Sequence, residues 1–180
     1  MPRRSRGRAG KRKNLTVVSN FSVIVAFAKI GRLDILEKLF KEVLVPRSVW
    51  FEATVKDKPG SENISRAGFI RVKEVHDGRL VSLLEEFIDQ DEAEAIVLAL
   101  ESGADLLLAD DGDDRRLAER LGLRVMGTLG VLALAKYRGI IPEVKPIIDE
   151  LTKKGFRFPK KTLENFLREL GELTYDTDDD

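Results

Sequence analysis

Apolar residues recur along this chain with two periods, and the places where one gives way to the other divide it into strands and helices. Leu15 to Ser19 is a short run rich in β-branched residues that predicts a buried strand. Ser19-Asn20 then offers turn chemistry before helical spacing begins at Phe21. That spacing continues through Ile24, Phe27 and Ala28 and, after a break at Gly31, through Leu33, Leu36, Leu39 and Phe40. Val43 to Val45 reads as a second strand ended by Pro46, which suits the first turn of a helix on which Val49, Glu52 and Ala53 share a face. Past Pro59-Gly60 and a short helical piece, Phe69 to Val75 alternates apolar and charged residues, as an edge strand does.

Helices are predicted over Leu80 to Ile88 and Glu92 to Ser102, the second closed by Gly103. The most continuous apolar strand, Leu106 to Ala109, stops at Asp110-Asp111. A helix from Asp113 to Leu121 follows, closed by Gly122. Val125-Met126 is a last short strand, and Thr128 opens an apolar helix through Leu134. From Pro142 onwards the pattern is two helices, near Ile147 to Lys153 and Leu163 to Leu170, which read as an appended hairpin. Strands alternating with helices over residues 15–141 imply one α/β domain. It has three layers, α/β/α, around a mostly parallel sheet of four or five strands. Residues 142–172 form a helical extension packed on it, residues 1–14 a basic arm and residues 173–180 an acidic tail.

Composition narrows the chemistry. There is no cysteine, so disulfides, thiolate metal sites and cysteine nucleophiles are excluded, and a single histidine, His76, excludes histidine clusters. The longest apolar stretch, Val23 to Ile30, is far short of the roughly 18 residues that cross a membrane, and no secretory segment follows the basic start. These absences place the expected location in the cytoplasm. Net charge is zero, yet Arg3, Arg4, Arg6, Arg8, Lys11, Arg12 and Lys13 are crowded into residues 1–14 without an acid. The arm has two readings, an electrostatic hold on RNA phosphates and a solvated, disordered terminus.

Ligands of parallel sheets bind beyond the carboxyl ends of the strands. That rule selects Asn20 and Ser22 after the first strand, Glu52 beyond the second and Asp110-Asp111 after the fourth, with Glu94 facing the same region. Glu52, Glu94 and Asp111 are hard oxygen donors from distant segments, the kind of set that Mg2+ or Mn2+ requires. Without a histidine or cysteine base, phosphodiester cleavage would rely on water activated by the cation. Each residue also has a plainer reading. Asp91 and Glu94 form an Asp-x-x-Glu capping pattern. Asp113 and Asp114 complement a helix dipole, the preferred reading for both. Glu52 fits an exposed helix position, and Asp110-Asp111 either flanks a cation or caps the next helix. His76 reads as solvated.

The segments 16–36, 42–53, 91–111 and 122–141 resemble, in order and spacing, the PIN domains of a VapC-like subgroup, over roughly residues 15–172. The resemblance implies a metal-dependent ribonuclease fold with four acidic positions around Mg2+ or Mn2+. These fall on Asn20, Glu52, Glu94 and Asp111, with Asp110 beside the last. Ser22 matches a hydroxyl that follows the first position, and Thr128 is a second supporting hydroxyl. The resemblance also implies a homodimer and a toxin paired with an antitoxin protein. Asn20 is the departure, because an amide oxygen ligates a cation without bringing charge. Two functions follow: an endoribonuclease in which Glu52, Glu94 and Asp111 are catalytic, or a catalytically silent module that binds RNA or a protein partner. A receiver-like phosphoacceptor domain using Asp110, Asp111, Thr128 and Lys136 has its acidic pair after the wrong strand.

Overall fold

Three buried residues, Val17–Ser19, make the central strand β1, and their side chains alternate between two apolar cores. The computed structural model describes residues 14–110 and 112–173, so the basic arm with its seven expected RNA contacts, Asp111 and most of the acidic tail lie outside the described residues. Around β1 lie β2 (Val43–Pro46), β3 (Ile70–Lys73), β4 (Leu106–Leu108) and β5 (Val125–Met126). Their order is β3-β2-β1-β4-β5 and every pairing is parallel. The alternating strand Ile70–Lys73 is at the edge, with its last three residues exposed.

The two-residue period decides which helices cover which face. Val17, Val43, Val45 and Leu108 point to one side. There they meet α1 (Phe21–Lys29), α2 (Leu33–Phe40), α3 (Arg47–Ala53), α4 (Ser61–Ser65) and α8 (Thr128–Tyr137). Val18, Leu44 and Leu107 point to the other, against α5 (Gly78–Leu84), α6 (Gln90–Glu101) and α7 (Gly112–Arg120). The result is a three-layer α/β/α arrangement around an all-parallel sheet. Left-handed backbone at Gly103 and Gly122, with φ of 56° and 86°, ends α6 and α7 where a side chain would be strained. No helix among the described residues is long and apolar enough to cross a membrane.

Helix starts are set by caps that periodicity does not register. The helix expected from Leu80 begins at Gly78, because the Asp77 carboxylate accepts the Leu80 N–H at 3.0 Å, and it ends at Leu84. The helix expected from Glu92 begins at Gln90. Asp89 is its N-cap, and Glu92 accepts the Asp89 N–H at 3.2 Å as the reciprocal partner. The capping frame is therefore Asp89/Glu92 and not Asp91/Glu94.

The last two helices, α9 (Lys145–Lys153) and α10 (Lys160–Glu169), place Ile147, Ile148, Leu151 and Leu167 in the same core as α1 and α8. A polar clamp ties them down. Glu172 accepts Lys136 Nζ at 2.6 Å, Val144 N–H at 2.8 Å and Lys145 N–H at 2.7 Å, and Lys136 also reaches the Leu170 carbonyl at 3.0 Å. Burial alone would raise the Glu172 carboxyl, but these donors hold it below its ordinary value of 4.5. Lys136 is thus engaged at the far end of α8, which removes it from any phosphoacceptor role.

Candidate active site

The strand order reverses between β1 and β4. The chain leaves β1 towards β2 and leaves β4 towards β5, so the two connections diverge and open a crevice at the carboxyl ends. Asn20 stands there. Its N–H donates to the Leu108 carbonyl at 3.0 Å, which extends the β1–β4 pairing by one residue and leaves its side chain to work elsewhere. The amide Nδ2 donates to Asp114 Oδ2 at 3.1 Å, and the amide Oδ1 accepts the Ser22 hydroxyl at 2.9 Å. Asn20 and Asp114 are only 3% and 2% exposed, so the amide N–H is one of the donors that meet a carboxylate taken out of water. The Arg115 N–H adds a bond to Asp114 Oδ1 at 2.6 Å.

Asp114 lies in the first turn of α7, where an acid complements the helix dipole, and its burial beside Asn20 adds a second role. The signal was available: Asp114, Leu117, Ala118 and Leu121 share one face at helical spacing, so the acid lies on the apolar side of α7. Asp113, one residue earlier, points outward and pairs with Arg116.

A second cluster spans α3 and α6. Glu94, released from capping, accepts the Ser48 hydroxyl from the first turn of α3 and Gln90 Nε2 at 3.0 Å. Glu52 follows Ser48 by one helical turn, is exposed, and has Lys58 Nζ at 3.8 Å. Its field reaches Asp91, whose carboxyl is raised above 3.8 first by burial and then by the charge of Glu52. Glu52, Asp91 and Glu94 therefore occupy one seam. Ser48 has no local sequence signal, because its partner belongs to another helix, and Asp91 reads from sequence as a helix cap and not as a member of this seam.

The Asp91 shift has a sign that titration can read. An acid whose pKa rises on folding costs stability when it is ionised. The cost is absent below the unfolded value near 3.8, grows up to the raised folded value and is complete at neutral pH. Asp91→Asn is expected to raise the melting temperature by about 1–2 °C at pH 7, discounted because the side chain is only partly buried. Near pH 3 the gain should vanish; an equal gain at both pH values would show that charge is not its cause.

Asp110 faces another way. Its Oδ1 accepts the Thr128 N–H at 2.6 Å and its Oδ2 accepts the Thr128 hydroxyl at 2.7 Å, so it caps α8 across the crevice. Gly127 permits this approach, since a Cβ there would stand 2.8 Å from Asp110 Oδ1. His76 is exposed and sits against Glu101, with Nδ1 3.3 Å from Oε2.

Among the described residues, no three acidic or histidine side chains gather closely enough to hold a metal ion between them. The crevice holds Asn20 and Asp114, and the seam between α3 and α6 holds Glu52 and Glu94; all are oxygen donors, of the kind that suits a hard divalent cation and not a soft one. A protein family described as a PIN domain matches this chain over residues 16–172. No curated protein matches it significantly.

Proposed function

The chain belongs to the PIN-domain family, whose members are generally nucleases, and on that premise we propose that it is an endoribonuclease dependent on Mg2+ or Mn2+. The observation that carries this reading is the buried Asn20–Asp114 pair at the point where the strand order reverses. Glu94 and Asp114 would hold the ion, with Asn20 as a neutral ligand and Asp111 at the remaining family position. When bound, such an ion supplies positive charge to the reacting phosphate and acidity to water. Ser22 fixes the orientation of the Asn20 amide, while Ser48 and Gln90 fix that of Glu94. Glu52 keeps negative charge beside Glu94, and the seven basic residues of the arm hold RNA phosphates. In this reading the chain is the toxin of a toxin–antitoxin pair and acts as a homodimer.

Glu94→Gln and Asp114→Asn are each expected to lower kcat for Mn2+-dependent RNA cleavage by about 100-fold or more, with little change in KM. Cleavage at the wild-type rate by both variants would remove these residues from the chemistry.

The Asn20–Asp114 hydrogen bond also favours a second reading, a silent module that binds RNA or a protein. In it the amide donor stands permanently where a cation would neutralise Asp114, and neither Mn2+ nor Asn20→Asp creates cleavage.

A further inference from the structure

Beside the crevice runs a cleft of about 700 Å3 that the proposed chemistry does not use. One wall is the end of β5 and the start of α8, Met126 to Gly130, with Ser22 and Arg115; the other is the turn between α9 and α10, including Phe156, Arg157 and Phe158. Ser22 joins the cleft to the Asn20–Asp114 pair through its hydrogen bond. Both phenylalanines are partly buried and rest on the main core, so their rings are held in place while one side borders the cleft. Lys29 Nζ stands 5.3 Å from the centre of the Phe156 ring. Arg157 is exposed and has no ion-pair partner among the described residues. Among the described residues that line the cleft the one acid is Asp110, which is already engaged by Thr128.

Fixed aromatic faces beside an unpaired guanidinium suit a base and its phosphate, provided the base is not paired. We infer that this cleft seats an unpaired nucleotide of single-stranded RNA, its base against Phe158 and Phe156 and its phosphate at Arg157, next to the scissile position. The inference rests on the nuclease reading for its substrate. Phe158 and Arg157 are then residues that select single strands over duplex.

Fluorescence anisotropy of the full chain in EDTA, where cleavage plays no part, reads this directly. The probe is a labelled single-stranded oligoribonucleotide on the order of 12 nucleotides, compared with the matching duplex. Phe158→Ala should weaken single-strand binding by about 10-fold or more at every salt concentration, and Phe158→Trp should restore it. Arg157→Glu, an exposed change that leaves the core alone, should weaken it about 10-fold and reduce the salt slope by about one. Duplex binding should change little in the aromatic variants. Wild-type affinity in both Phe158→Ala and Arg157→Glu overturns the inference, as does failure of the wild type to bind the single strand. If those variants lose binding but no added Mn2+ elicits cleavage by wild type, the nucleotide seat stands and the nuclease reading falls. If wild type cleaves while both variants bind normally, the reverse holds.

Discussion

Asn20→Asp is expected to lower the melting temperature by roughly 10 °C in EDTA at neutral pH and to make stability depend on Mn2+. The change replaces an N–H donor by a carboxylate oxygen about where Nδ2 now stands, 3.1 Å from Asp114 Oδ2. Two carboxylates that close and that buried cannot both ionise cheaply, so they share a proton and one of the pair titrates far above the ordinary range. Folding then costs about 3 kcal/mol or more at pH 7, and the cost fades as pH falls and the pair takes up its proton. Saturating Mn2+ should recover most of the loss by placing positive charge beside the two carboxylates. Thermal melts in EDTA and in Mn2+ at two pH values check this. A variant as stable as wild type in EDTA would mean that the amide is not what balances Asp114.

The second large effect lies at the other end of the fold. Glu172→Ala is expected to cost about 2–3 kcal/mol, a fall of roughly 6–10 °C in melting temperature, because it leaves two backbone N–H groups without their acceptor and Lys136 with the Leu170 carbonyl but no counter-charge. Glu172 has an 8% exposed side chain and Lys136 a 26% exposed one, so water repairs little of the loss. The carboxyl is depressed in the folded state. Its contribution is therefore full above about 4.5 and is lost as pH falls through the lower folded value, where wild type and variant should converge. Glu172→Gln keeps an acceptor for the N–H groups and should fall between the two. A constant gap from neutral to strongly acidic pH would separate this stabilisation from ionisation.

The layers were largely legible, because the continuous apolar runs in Val17–Ser19, Val43–Pro46 and Leu106–Leu108 report burial on both faces of a sheet, whereas the strand order beyond the edge position of β3 was not. Asn20 was selected by its position beyond the end of a strand, and Glu94 by its place in the first turn of the helix that precedes β4. The capping frame was not, since Asp89-Gln90-Asp91-Glu92-Ala93-Glu94 contains two overlapping Asp-x-x-Glu patterns and local chemistry does not choose between them. The structure has Glu94 held by Ser48, a contact between helices with 46 residues separating the partners. Asp110 shows the same limit: its partner Thr128 lies 18 residues on, so the cap it makes on α8 is not written in the local sequence. Asp114 was readable from helical spacing but was outweighed by the general preference of acids for a helix first turn.

The proposed function requires that Asn20, Glu94 and Asp114 together hold a divalent cation. Isothermal titration of Mn2+ into the full chain, beside Glu94→Gln and Asp114→Asn, tests it most directly. Binding by wild type that weakens by about 10-fold or more in each variant is the expected result. No binding by wild type, or the same affinity in all three proteins, would contradict it.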